Sequence, residues 1–129
     1  GQPFRYFCAG VSRYANTTAL FERAAALGVR HVLDEDLVAA HLDGAREELA
    51  AFVRSVDLVY LTFCLDVLPA GVAPGVSAPA ARGVPLEVVE PLVDLVAGCG
   101  KLALADVAEL SPARDPDGRT ARTAARLVA

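Results

Sequence analysis

The spacing of apolar positions alternates between two periods along this chain. Phe4 to Ser12 reads as a strand running into a loop, and Asn16 is the expected N-cap of the helix that follows. Leu20, Ala24 and Leu27 make one helical stripe, with Gly28 placed to end it. Val29 to Leu33 reads as a short strand, and Asp34 or Asp36 is expected to cap the next helix. There Val38, Leu42, Ala45, Leu49, Phe52 and Val56 recur at steps of three and four, a helical period. Gly44 weakens the middle of that helix by ~1 kcal/mol relative to Ala, so two shorter helices also fit.

Leu58 to Leu65 is almost wholly apolar and rich in β-formers, which suits a strand covered on both faces of a parallel sheet. It ends on Asp66. A long loop follows to Gly83, punctuated by Pro69, Gly71, Pro74, Gly75 and Pro79. A helix is expected over about 85–97, with Pro85 at its first position. Pro91 lies inside it and should kink it. Lys101 to Ala108 reads as another buried strand, again ending at a carboxylate, Glu109. Ser111 to Gly118 is a polar turn region, and Arg119 to Val128 a closing helix. Strands and helices alternate throughout, which predicts an α/β fold of three layers, α/β/α, with strands near 4–10, 29–33, 57–65 and 101–108 parallel.

Composition narrows the function classes. At 129 residues the chain is one domain's worth, long enough to build a core. Its hydrophobic content of 54% exceeds the globular norm, as expected when helices cover a buried sheet. No apolar run reaches the ~18 residues of a membrane span. The net charge of −4, without a basic block, argues against nucleic acid as a partner. Cys8, Cys64 and Cys99 are odd in number and irregular in spacing, which favours a reducing compartment, so a cytoplasmic location is expected. The sequence contains no Met, so Gly1 is not read as a native start and the chain is read as a fragment.

Candidate chemistry gathers at two strand ends. Ligands of open α/β sheets bind outside the carboxyl ends of strands. Asp66 and Glu109 each end an apolar strand, so parallel pairing would bring both carboxylates to one edge. Two carboxylates there are costly to hold together unless a cation compensates. The structural alternative is that each caps a turn or pairs with an arginine. Cys64 is open to three readings: a buried packing residue, a ligand favouring a soft metal, or the mark of a decayed site. His31 and His41 lie in no metal-ligand spacing and read as ordinary core or surface residues. Arg119, Arg122 and Arg126 share one helical face, read first as solvated and second as an oligomer interface.

The stretch Thr62 to Gly83 resembles a signature of the ureohydrolase family, which comprises arginase, agmatinase and formimidoylglutamase. That signature reads Ser-apolar-Asp-apolar-Asp, three residues, Pro or Ala, three residues, Pro, a small residue, seven residues, Gly. Here Thr62 stands for Ser, while Phe63, Leu65, Asp66, Ala70, Pro74, Gly75 and Gly83 fall at the required positions. Cys64 replaces the first Asp. Val76-Ser-Ala-Pro79 and Gly83-Val-Pro-Leu86 are most similar to the formimidoylglutamase branch. The segment from Asp106 to Pro112 is similar to the family's Asp-x-x-Glu-x-Asn-Pro, with Ser111 in place of Asn.

The resemblance implies the C-terminal portion of an arginase-like fold over 1–129, with an N-terminal part absent. It implies a hydrolase of linear amidines that cleaves N-formimidoyl-L-glutamate to glutamate and formamide in histidine breakdown, using two Mn²⁺ ions. Asp66 is implied as a ligand to one metal, Cys64 as the occupant of the bridging position, and Glu109 as the holder of the substrate's amidinium. Asp106 matches a family Asp and is expected to be structural. A small-molecule amidine is the expected partner, and the full-length parent is expected to form a homo-oligomer. The chain contains no Asp-x-His-x-Asp, the cluster that carries further metal ligands in the family, so the isolated chain is expected to be inactive. The rival readings are a truncated or decayed relative acting as a binding module, and another ureohydrolase such as agmatinase or arginase.

Overall fold

The computed structural model describes residues 4–129. Gly1, read above as no native start, lies outside them. Strand β1 (Phe7–Val11), helix α1 (Thr18–Ala26) and strand β2 (Arg30–Leu33) form a first unit. A 3-10 turn at Ala39–His41 leads into α2 (Leu42–Arg54), then β3 (Val59–Cys64) and a second 3-10 turn, Leu65–Val67. After the long loop come α3 (Leu86–Ala97), β4 (Leu102–Ala108), a 3-10 turn at Pro112–Arg114 and α4 (Arg119–Leu127). The strands make two parallel pairs, β1 with β2 and β3 with β4. The α/β alternation and parallel pairing read from the apolar pattern therefore hold.

The core follows from that pattern. Leu49 and Val53 of α2, Val88, Val89, Leu92 and Val96 of α3, and Val59 and Phe63 of β3 form one buried cluster with Leu65, Leu68, Val76 and Val84. The last four come from the long loop and its 3-10 turn, and all are fully buried. The loop is thus part of the core, not a surface flap. Phe7 of β1 stacks at a tilt on Phe52 of α2, with ring centroids 5.3 Å apart. On the other side of the first pair, Phe21 of α1 packs against His31 of β2. Helices therefore contact both faces of the β1–β2 pair.

Several local expectations are corrected. β3 is not covered on both faces. Its side chains alternate, with Val59 and Phe63 buried while Tyr60, Thr62 and Cys64 are exposed. The apolar run hides this period because Tyr60 and Cys64 score as apolar while facing outward. α1 has no buried residue, and Leu20 and Leu27 of its stripe are exposed. Asn16 does not cap α1. Thr17 holds the N-cap position without a side-chain bond, and the Asn16 amide donates instead to the Ser12 carbonyl at 2.8 Å. Neither Asp34 nor Asp36 caps α2, which begins at Leu42 and runs through Gly44 unbroken. Pro85 is the N-cap of α3 and not its first residue, and Pro91 sits inside a helix that continues past it. Arg119 and Arg126 are exposed and pair with Asp117 and Glu90.

Candidate functional site

The β3–β4 register sets the site. Cys64 is the partner of Ala108 across the parallel ladder, so the chain leaves both strands at the same edge. Asp66 follows two residues after Cys64, within the 3-10 turn, and Glu109 comes directly after Ala108. Strand ends and register thus bring the two carboxylates to one edge, as parallel pairing of two apolar runs demands.

Glu109 is the only non-glycine residue with a positive φ among the described residues, at 73°. A left-handed backbone at a side-chain-bearing residue costs of order 1–2 kcal/mol and persists only where neighbours impose it. Here they do. Two residues on, the Ser111 N–H donates to the Gly75 carbonyl at 2.7 Å, which pulls the exit of β4 against the long loop. Ser77 of the same loop donates its hydroxyl to Glu109 Oε2 at 3.4 Å. Gly75 is itself held, its N–H donating to Thr120 Oγ1 at 2.8 Å within the buried start of α4. A Cβ at Gly75 would approach Asp115 Cβ to 2.5 Å, which explains a glycine at this position. Asp115 accepts the Thr120 and Ala121 N–H groups at 3.1 and 3.0 Å and so fixes the start of α4. The loop, the β4 exit and α4 lock together around Glu109.

The electrostatics of this edge are set by its clustered acidic groups. Partial burial, and then the charge of Glu109, raise the Asp66 carboxyl above its ordinary range. Burial chiefly, followed by the charges of Asp66 and Glu109, also raises the Cys64 thiol, which keeps it protonated near neutral pH. Asp106, beside Thr62 in the register, accepts the Tyr60 hydroxyl and adds a further carboxylate to the exposed face. Two shallow concavities lie away from Asp66 and Glu109. One of about 230 Å³ is lined by Glu90, Val93, Asp94, Arg126 and Leu127. The other, of about 410 Å³, is lined by residues that include Arg13, Phe21 and His31.

A metal needs more donors than this edge supplies. Among the described residues no group of three or more His, Cys, Asp and Glu side chains is placed to hold one. Asp66 offers carboxylate oxygens, but the Cys64 thiol is a soft donor, and the pair does not complete a metal site. His31 packs on Phe21, and His41 reaches the Asp36 carbonyl, so neither joins them. Sequence reasoning met Gly75 and Ser77 only as positions of the signature stretch and missed their support of Glu109, and it missed Thr120 altogether. The only available signal was the small residue following Pro74.

Comparison with known proteins fits this picture. A sequence profile of the arginase family matches residues 1–129. The chain is 65% identical to the formimidoylglutamase of Ralstonia nicotianae over all 129 of its residues, covering 40% of that relative. It is 59% identical to the formimidoylglutamase of Aeromonas hydrophila over 128 residues, 99% of this chain and 41% of the relative. Among solved structures, the formimidoylglutamase from Bacillus subtilis superposes with a TM-score of 0.87 at 22% identity, over 95% of this chain and 38% of that one. The arginase from Bacillus caldovelox gives 0.82 at 22% identity, over 95% of this chain and 40% of that one. These two likenesses establish the arginase-like fold. The chain spans about 40% of the length of these curated relatives. Among the described residues, no helix is long and apolar enough to cross a membrane.

Proposed function

The chain belongs to the arginase family, and we propose that it is the C-terminal part of a formimidoylglutamase-like hydrolase. The reaction adds water across the amidine carbon of N-formimidoyl-L-glutamate and releases glutamate and formamide, a step of histidine breakdown. The observation that carries this reading is the convergence of Asp66 and Glu109 at one sheet edge, where burial first and then Glu109's charge raise the Asp66 carboxyl. An amidinium is planar and cationic, and a carboxylate held in fixed orientation accepts two of its N–H groups. In this reading Glu109 is that acceptor, and its imposed left-handed backbone is the pre-organisation that aims it. The high identity to curated formimidoylglutamases supports this substrate over arginine or agmatine.

The family resemblance points to Mn²⁺, for which Asp66 is the suitable donor in this chain and Cys64 a poor one. Further ligands must come from outside the described residues, so the residues here bind and orient the amidine and do not themselves assemble the metal centre. Three free cysteines fit a cytoplasmic location. A homo-oligomeric parent belongs to the same proposal. A second reading, a non-catalytic module, is favoured by one observation, the thiol of Cys64 where the signature has a carboxylate.

The test is formamide release from N-formimidoyl-L-glutamate by the full-length parent. Glu109→Gln should lower kcat/KM by roughly 10²–10³-fold, the scale of losing one oriented electrostatic contact in the transition state. Unchanged turnover in that variant would sink the assignment of Glu109. An inactive parent would favour the module.

A further inference from the structure

We propose that Thr120, at the buried start of α4, is a positioning residue for Glu109 and acts on it across Gly75 of the long loop. Among the described residues only Asp34 and Thr120 are buried polar side chains, and Thr120 alone is wholly shielded from solvent. A buried hydroxyl is costly unless it is hydrogen-bonded, and valine would fill the same space without that cost. The bond that the hydroxyl makes shows what it does there. Thr120 Oγ1 accepts the Gly75 N–H at 2.8 Å. The carbonyl of the same glycine accepts the Ser111 N–H at 2.7 Å. Gly75 is thus gripped from two sides, by α4 through its N–H and by the exit of β4 through its carbonyl.

The grip matters because the backbone of Glu109 is left-handed, with φ 73°. Such a conformation persists only where its surroundings over-determine it. Among the described residues, the bond from Ser111 to Gly75 is the one backbone hydrogen bond that ties residues 109–111 to the long loop. The side-chain contact from Ser77 to Glu109 is exposed and long, at 3.4 Å, so it orients the carboxylate weakly.

The far end of the tie is well anchored. The N–H groups of Thr120 and Ala121 donate to the two carboxylate oxygens of Asp115, at 3.1 and 3.0 Å. Loop and helix start also press together, since a Cβ at Gly75 would lie 2.5 Å from Asp115 Cβ and 2.9 Å from Thr120 Oγ1. Without the Thr120 hydroxyl, the buried Gly75 N–H loses its acceptor. The loop must turn to recover one, and the Ser111 tie and the aim of Glu109 move with it. The role rests on the reading of Glu109 as the amidinium acceptor.

The experiment measures formamide release by the full-length parent carrying Thr120→Val, Thr120→Ser, Glu109→Gln, or Glu109→Gln with Thr120→Val. Thr120→Val keeps the shape and removes the acceptor. It should lower kcat/KM roughly tenfold, because a shift of a fraction of an ångström costs less than the ~10²-fold of a full one. Thr120→Ser keeps the acceptor and should stay within about twofold of the parent. A residue that acts through Glu109 has little left to act on in Glu109→Gln, so adding Thr120→Val there should change kcat/KM by less than about twofold. A merely structural role would cost the same factor in both backgrounds, and that result would overturn the proposal. So would full activity of Thr120→Val, or a loss in Thr120→Ser as large as in Thr120→Val. If the valine variant does not fold, Thr120→Cys, close in size and a poor acceptor, takes its place in the same comparison with the same expected losses. Unchanged turnover in Glu109→Gln, or none in the parent, would instead remove Glu109 as the acceptor and this role with it.

Discussion

Asp66 pairs site and stability most directly. Its carboxyl is raised by partial burial and then by Glu109, so the folded state holds the Asp66 proton more tightly than the unfolded chain does. A raised carboxyl contributes stability that is fully present below the unfolded value and is lost as pH rises through the folded one. At pH 7 the ionised Asp66 is therefore a liability to the fold. Asp66→Asn should raise the melting temperature of the chain at pH 7 and give no gain at pH 3, where the native side chain is already neutral. Thermal unfolding followed at both pH values decides it, and equal effects at the two would remove the ionisation of Asp66 as the cause. The two carboxylates were legible in the sequence because each closes an apolar run and β-α alternation forces the runs parallel. The positive φ of Glu109 was not, since no local pattern around Leu110 and Ser111 specifies it; the tie from Ser111 to Gly75 imposes it across more than thirty residues.

Elements are anchored by contacts that periodicity does not record. Lys101, one residue before β4, sends its ammonium to three carbonyls at and beyond the C-terminal end of α2, those of Val53, Arg54 and Val56, at 3.0, 3.3 and 2.6 Å. It satisfies orphan carbonyls and complements the negative end of the helix. Lys101→Met keeps the stem but strands these acceptors and should cost about 1.5–3 kcal/mol in urea unfolding. The glycines separate by the same logic. Gly83 has φ 68°, and a Cβ there would lie 2.6 Å from the Leu68 carbonyl carbon, against backbone that cannot yield. Gly28 has φ 67° with nothing within 4 Å. Gly28→Ala should therefore cost only the left-handed penalty of ~1 kcal/mol. Gly83→Ala should cost more than ~2 kcal/mol, because the loop must also shift. Equal losses would show that the close approach to Leu68 and Pro69 has no energetic weight. The helices and strands themselves were readable from steps of three, four and two. Their caps were not, since Asn16, Asp34 and Asp36 are competent cap residues that the chain turns elsewhere. Nor was the one-sided burial of β3, because hydropathy cannot distinguish a Tyr or Cys facing outward from one facing the core.

Across the whole molecule, the arrangement divides the labour of an active site unevenly. In the proposed reading this chain supplies Glu109 as the substrate-facing carboxylate and Asp66 as one oxygen donor, beside a loop whose Leu65, Leu68, Val76 and Val84 are fully buried. Among the described residues it does not gather three or more such donors for a metal. A metal held by few protein groups exchanges quickly and acidifies its water weakly, whereas a two-metal site depends on fixed coordination and geometry. The chain alone should therefore show no appreciable formamide release from N-formimidoyl-L-glutamate, with or without added Mn²⁺. Cys64→Asp would add one hard donor beside Asp66 but none of the remaining ligands, so it should not rescue the isolated chain. In the full-length parent the same change should tighten Mn²⁺ binding, measured by competition with a chelator, if Cys64 stands at the bridging position; unchanged affinity would remove it from the metal shell. Turnover by the purified 129-residue chain that depends on Mn²⁺ and vanishes in Asp66→Ala would overturn the prediction. It would mean that copies of this chain complete the site between them, and sedimentation of the active species would then have to show an oligomer.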